Sequence, residues 1–399
     1  MTHESPPSVH CPLCGGATLY DFYLKKGVPV TCASVFTDAA QARQIARGNI
    51  DLAACERCGF AFNRSFEPGL GELGARYESS QAASAQFNQY AAALARSWVT
   101  RHRLENKTVL EVGCGDGNFL RALIGAGVGH AIGLDPLVTV SQESAQTMQG
   151  IERIPRRFDA SLLDIAADAL VCRHTLEHVP DVHGFLTLLR QWATGGHNRV
   201  VLLDLPDAER VFAERAFWDI YYEHCNYFTA DTLRRAFAFA GFHILALSRD
   251  FHGQYLTVEA LPDPASAPRP PGDSSGERAL YHAFAIDIHK SLQRCEIALD
   301  RLKRPPQPLM LWQGSSKTVG FLSSLAHPEV IDGAVDVNPQ RHGIFLPGSG
   351  LPVYAPEKLK EIKPRHVILM NPAYQEEVAK MLTALRLDVP LHPVDALLR

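Results

Sequence analysis

Residues 108–120 read TVLEVGCGDGNFL. Five strand-forming residues, Thr108 to Val112, give way to glycines at 113, 115 and 117, and Asn118-Phe119-Leu120 then opens an apolar-periodic segment. This is the pattern of a buried strand, a tight turn and a helix. Glycines let the backbone approach a ligand closely, and a helix N-terminus favours polar or anionic groups. An acid, Glu111, precedes the turn, and the spacing E-x-G-x-G-x-G departs from that of dinucleotide sites. The next strand ends in AIGLDP, which puts Asp135 where a carboxylate can accept both hydroxyls of a ribose. The bland alternative is a sterically required turn in a fold that binds nothing.

Working outward, strands and helices alternate from Lys107 to about Ala260, which predicts a parallel sheet with helices on its faces. Residues 84–104 precede it as a helix, and residues 1–75 are loop-like. PDPASAPRPPGDSSGE, 262–277, has the composition of a linker or surface loop. Leu280, Phe284, Ile288 and Leu292 follow at helical spacing, so that helix is expected to dock its apolar stripe on another surface. From Pro308 the alternation resumes as a smaller α/β unit. The predicted division is 1–75, 76–261, 262–304 (linker and amphipathic helix) and 305–399.

Composition narrows the function. A chain of 399 residues with 46% apolar residues holds more than one sizeable core. A net charge of −4 gives no footprint for nucleic acid or an anionic membrane, and no run of about 18 apolar residues offers a membrane span. The N-terminus has no signal-peptide pattern, and nine cysteines, an odd number, argue against a complete disulfide framework. A cytoplasmic protein with reduced thiols, monomeric or weakly oligomeric, acting on a small molecule, is the expectation.

Cys11-Pro-Leu-Cys14 and Cys55-Glu-Arg-Cys58 form two C-x2-C knuckles. Four thiolates suit tetrahedral Zn²⁺, and a closed set leaves no open position, so the ion is expected to be structural. A redox pair or unrelated thiols is the competing reading; Cys32 and His10 are bystanders.

Glu111, Gly113, Gly115, Gly117 and Asp135 together resemble the class I S-adenosylmethionine-dependent methyltransferases. The resemblance implies that the Gly loop passes the methionine part of the cofactor and that Asp135 holds its ribose. In RRFDASLL, 156–163, Asp159 is the candidate for the adenine side, against an ordinary exposed turn. DALVCRHTLEHVPD, 168–181, is the fourth strand and its exit loop; its LEHV supports the fold, and His174 and His178 are read as satisfying backbone groups rather than facing the cofactor.

Residues 221–229, YYEHCNYFT, crowd titratable groups into aromatic surroundings. Together with the cysteine module and the trailing α/β unit, they resemble the sugar-nucleotide C-methyltransferases, whose signature Y-H-E-H-x-x-Y-F differs here only at Tyr222. Those enzymes methylate a carbon next to a keto group on a deoxysugar carried by a nucleoside diphosphate. The resemblance implies His224 as the base, with Glu223 and Tyr221 assisting. An imidazole with an ordinary pKa of about 6.5 takes a proton near neutrality, and a phenol can donate to the enolate oxygen. A buried polar cluster bracing the fold is the alternative. Trp312-Gln-Gly-Ser-Ser-Lys317 departs from the family's GYGASxKG, which puts substrate identity in question more than reaction type. Ser315, Ser316 and Lys317 are candidates for a phosphate, and Asp336 stands in a ribose-acid position; a domain that only shapes the cleft is the rival reading. An O- or N-methyltransferase, and a non-catalytic cofactor- or zinc-binding scaffold, are the remaining alternatives.

Overall fold

The computed structural model describes residues 10–71, 77–78, 80–137, 150–196, 199–263 and 272–399. Residues 264–271 of the segment read as a linker, and the N-terminal residues 1–9, lie outside the described residues. The described residues form a four-stranded, a seven-stranded and a five-stranded sheet.

The N-terminal section, expected to be loop-like, is instead mostly sheet. β1 (Leu19–Pro29) pairs antiparallel with β2 (Arg47–Cys55) across the short helix α1 (Ala39–Arg43), and β2 pairs with β3 (Ala61–Asn63). In NIDLAAC the residues from Leu52 to Cys55 are all buried, so the stretch shows no clean alternation. Next comes α2 (Ala85–His102), capped by Ser84, whose side chain accepts from the Phe87 amide; Leu94, Ala95, Trp98 and Val99 form its buried face.

The central sheet is built from β4 (Thr108–Val112), α3 (Asn118–Gly125), β5 (His130–Leu134), β6 (Ile151–Ile154), β7 (Ala169–Arg173), α4 (Val182–Thr194), β8 (Val200–Pro206) and α5 (Ala208–Ala213). β4, β5, β7 and β8 are almost wholly buried, as strands covered by helices on both faces must be. β9 (Asn226–Tyr227) leaves this sheet and joins β3, so the catalytic candidate segment is hydrogen-bonded to the N-terminal ribbon. After α6 (Ala230–Phe239), β10 (Phe242–Asp250) and β11 (Tyr255–Pro262) close the sheet. The order is β10-β11-β8-β7-β4-β5-β6. The parallel reading to Ala260 is corrected at this end: β11 runs antiparallel to β8 and to β10. Four residues separate β10 from β11, far too few for a parallel crossover, and Phe251, His252 and Gly253 turn the chain with positive φ.

α7 (Ser275–Leu302) docks as expected: Phe284 and Ile288 are buried, and Leu280 and Leu292 pack beside them. Its Tyr281 hydroxyl donates to the Gly59 carbonyl, and its ring stacks on Phe22. The C-terminal unit runs β12 (Leu309–Trp312), α8 (Ser316–Ser324), β13 (Gly333–Val335), β14 (Val353–Tyr354), α9 (Leu359–Ile362), β15 (His366–Leu369), α10 (Gln375–Ala384) and β16 (Leu391–Pro393). All its pairings are parallel, in the order β14-β13-β12-β15-β16. One hydrophobic core joins β1, β2, α5, residues 216–222, α7 and this sheet, so all four predicted sections share buried contacts. Gly320 on α8 makes that approach possible, since a Cβ there would meet the Trp218 carbonyl at 2.6 Å.

Candidate active site

In a doubly wound sheet the strand order reverses between the first and fourth strands, and ligands bind outside the carboxyl ends at that point. Here the reversal falls between β4 and β7, where a cavity of about 1200 Å³ opens. Its wall includes Glu111, Gly113, Gly115, Asp135, Arg173 and His174. Gly113 has φ +78°, and a Cβ there would lie 2.0 Å from Thr175 Oγ1, so no other residue fits without displacing the loop after β7. The Gly115 amide donates to Asp135 Oδ2 at 3.0 Å, and the Leu137 amide to Oδ1 at 2.8 Å, which clasps the glycine turn to the end of β5. Gly117 caps α3 without a side-chain bond and is not among the lining residues.

Glu111 is 2% exposed, and among the described residues its Oε2 has no hydrogen-bond partner. Burial pushes its carboxyl up to about 8, against the pull of the neighbouring Arg173 cation. Arg173, at the end of β7, binds Asp204 Oδ2 through Nε and Nη2 and lies 4.2 Å over the Phe119 ring. The sequence carried no signal for Arg173: its charge acquires meaning only through Asp204 on the adjacent strand. Asp159 is not brought to the cavity. It caps a single turn, accepting from the Ser161 amide at 2.8 Å, and Phe158 lines the wall instead.

The segment 217–228 crosses the same cavity. Tyr221, Glu223 and His224 all line it. His224 Nε2 lies 2.9 Å from the Tyr221 hydroxyl, and the His224 and His178 ring centroids are 4.8 Å apart. Burial, then the nearby His178, hold the His224 pKa well below its ordinary value, so its ring is neutral at physiological pH. Burial raises the Tyr221 phenol well above its ordinary value, so it keeps its proton. The Glu223 carboxylate accepts from Thr31 Oγ1 at 3.1 Å and from the Cys32 amide at 2.7 Å, both in the N-terminal ribbon. His178 Nδ1 donates to the Glu223 carbonyl at 2.8 Å, as the backbone-satisfying reading required, yet its ring also lines the cavity. Asn226 Nδ2 donates to the Val179 carbonyl at 2.6 Å, sewing the LEHV loop to this segment. Tyr222 points elsewhere: fully buried, it accepts the Glu67 amide at 2.8 Å and fills the space over Gly48.

The C-terminal unit supplies the opposite wall through Ser315, Ser316, Lys317 and Asp336. The Gly314 amide donates to Asp336 Oδ2 at 2.7 Å, and the Asn338 amide to Oδ1 at 2.8 Å, a repeat of the Gly115–Asp135–Leu137 clasp. Lys317 is bound to Asp219, which also pairs with Arg210 at 2.5 Å. Burial works against the Asp219 charge, but the two cations outweigh it and hold its pKa down to about 2.

At the far end of the N-terminal ribbon the four candidate thiols are buried and free of disulfides. Their sulfurs lie within 4.8 Å of one another, with Cys11–Cys58 at 3.7 Å and Cys14–Cys55 at 3.6 Å. Sulfurs on a tetrahedron with Zn–S of about 2.3 Å are about 3.8 Å apart, so the set fits that ion.

Sheet order, glycine clasp and cavity define a class I S-adenosylmethionine-dependent methyltransferase. A methyltransferase-domain family matches residues 83–247, and a C-methyltransferase C-terminal domain family matches residues 274–388. The chain is 23% identical over 397 residues to the C-methyltransferase NovU of Streptomyces niveus, covering 93% of this chain and 91% of that one. It is accordingly an S-adenosylmethionine-dependent C-methyltransferase. Similar solved structures include the magnesium protoporphyrin IX methyltransferase of Synechocystis with bound S-adenosylhomocysteine (17% identity, 44% of this chain and 84% of that one, TM-score 0.34). Another is the 1,6-didemethyltoxoflavin-N1-methyltransferase of Burkholderia thailandensis (14%, 46% and 82%, TM-score 0.34). Among the described residues no helix is long and apolar enough to cross a membrane. The site fits the cofactor: an orphaned buried carboxylate, Glu111, suits an ammonium group, and a Cβ-free turn at Gly113 and Gly115 leaves room for its chain.

Proposed function

We propose that this enzyme methylates the carbon α to the keto group of a nucleotide-linked deoxysugar or a related activated metabolite, with His224 as the base. The observation that carries the reading is that the His224 ring and the glycine loop line one cavity. Gly113, Gly115 and Asp135 would hold the cofactor with Glu111, and Gly117 would start the helix behind it. Asp159 has no place in this scheme. Bound S-adenosylmethionine supplies an electrophilic methyl group.

The residues of the chain do the rest. His224, kept neutral by burial, accepts the α-proton. Tyr221, kept protonated, holds the imidazole at hydrogen-bond distance and can turn its proton to the enolate oxygen. Glu223, anchored by Thr31 and Cys32, presents its remaining acceptor capacity to sugar hydroxyls. Ser315, Ser316 and Lys317 at the start of α8, with Asp336 beside them, face the nucleotide part, in keeping with the repeated clasp. Cys11, Cys14, Cys55 and Cys58 would hold a structural Zn²⁺ that fixes β2 and β3, and through β3 the segment carrying His224.

The test is α-proton exchange in deuterated water with a nucleoside-diphosphate keto-deoxysugar. The wild type should wash deuterium into the α-carbon, and His224→Ala should lose that exchange by about a hundredfold or more. Normal exchange in His224→Ala refutes the base assignment.

A further inference from the structure

Glu177 is a buried carboxylate that the scheme above leaves without a task. It is 2% exposed, lines the cavity, and among the described residues neither of its oxygens is hydrogen-bonded. A buried carboxylate without a partner calls for a positive charge or a hydrogen-bond donor to approach it. The groups around it are three imidazoles. One of its oxygens and one ring nitrogen each of His178 and His224 lie within 4.8 Å of one another, and His174 Nδ1 is 3.7 Å from Oε1. His178 cannot turn away, because its Nδ1–H is held by the Glu223 carbonyl; Nε2 is then its free, proton-accepting nitrogen. The backbone holds Glu177 equally firmly, since the Cys225 thiol donates to its carbonyl at 3.5 Å and the Asn226 amide grips the same loop.

We propose that Glu177 is the counter-anion for the proton that His224 removes from substrate, a positioning residue acting through the His178–His224 pair. This rests on His224 being the base. When the α C–H bond breaks, its electron pair stays on the substrate as the enolate and the proton goes to His224, making an imidazolium. Attack on the methyl group then forms the C–C bond, and the S–CH3 pair stays on sulfur. Between those two events the enzyme must hold an imidazolium in a buried site that already disfavours it. The other groups facing His224 do not solve this alone: His174 and His178 and the Lys317 ammonium oppose the charge, while Asp219 is already shared between Lys317 and Arg210. Among the described residues Glu177 is an anion in reach whose two oxygens have no hydrogen-bond partner. The arrangement resembles a catalytic dyad in logic: an anion fixes and stabilises a protonated imidazole without itself taking the proton.

Glu177→Gln keeps shape and removes charge. The expected result is an exchange rate and kcat lowered by about a hundredfold with substrate KM and cofactor Kd within about threefold of wild type. The acid limb of kcat/KM should move to lower pH, because an imidazole that has lost its anion holds a proton less tightly. Glu177→Asp, which keeps the charge, should retain the wild-type limb and recover at least a tenth of the rate. A Gln variant with normal exchange and an unmoved limb overturns the proposal, as does an Asp variant that folds but shifts the limb as Gln does. If Glu177→Gln does not fold, the Asp variant and the position of its acid limb decide the matter. His224→Ala, measured in parallel, separates this outcome from failure of the base assignment itself: exchange lost in His224→Ala but intact in Glu177→Gln leaves the base standing and removes only its counter-ion.

Discussion

Replacing Glu111 by Gln tests the cofactor site through a property that activity does not enter. The Glu111 carboxyl is buried at the end of β4, with Oε2 unpartnered among the described residues and its pKa pushed from 4.5 up to about 8. The folded state therefore holds this proton more tightly than the unfolded chain. Its contribution is neutral below about pH 4.5 and increasingly unfavourable as pH rises through about 8. The span, at about 1.4 kcal/mol per pH unit, sets a ceiling of about 5 kcal/mol. Half that ceiling is about 5–10 °C in Tm for a unit of this size. The assay is Tm against pH from 4.5 to 8.5, cofactor-free, for wild type and Glu111→Gln. The variant should gain on the wild type steadily with pH and match it at the acid end. Cofactor binding should show the opposite preference. Losing a charged partner for the ammonium costs about 1.5–3 kcal/mol, or roughly ten- to a hundredfold in Kd for S-adenosylmethionine. Parallel Tm profiles with an unchanged Kd would refute the reasoning for both the burial and the ammonium contact.

Further outcomes follow from the same geometry. Gly113→Ala introduces a Cβ 2.0 Å from Thr175 Oγ1 at φ +78°, and should weaken cofactor binding by at least tenfold while lowering Tm, read by calorimetry. Metal analysis should find one zinc per chain; Cys55→Ser should lose it, with a fall in Tm and loss of the near-UV signal from the aromatic core around Phe60, Phe62 and Phe228. Tyr222→Phe removes the hydroxyl that accepts from the Glu67 amide and donates to the Glu67 carbonyl, and should cost about 1–2 kcal/mol in denaturant unfolding while leaving kcat unchanged. Lys317→Met leaves Asp219 with Arg210 as its cation and should raise KM for the nucleotide-linked substrate more than it lowers kcat.

Much of the architecture was legible because it is written in short spacings. The strand–glycine–helix pattern at 108–120, the acids at 111 and 135, the two cysteine knuckles and the 280–292 stripe each depend on residues within a few turns of one another, where backbone sterics and periodicity dominate. The same local logic failed where the chain reverses: a four-residue turn at 251–254 makes an antiparallel hairpin regardless of how strand-like its flanks are. It failed also in the N-terminal ribbon, where β1 shows no clean alternation and β2 ends in a continuous buried run from Leu52 to Cys55. Asp159 was placed by analogy of position, and only the fold shows its carboxylate occupied by Ser161.

The active cluster was decided by tertiary structure. Glu223 is held by Thr31 and Cys32, some 190 residues earlier; His178 is fixed by the Glu223 carbonyl, Asp219 by Lys317 and Arg210, and Arg173 by Asp204. Sequence by itself determined which titratable groups are present and which elements carry them. Whether a buried carboxylate or imidazole is charged depends on what the folded chain sets within a few ångströms of it, because at low dielectric the partner and the loss of water outweigh anything in the residue's own neighbourhood along the chain.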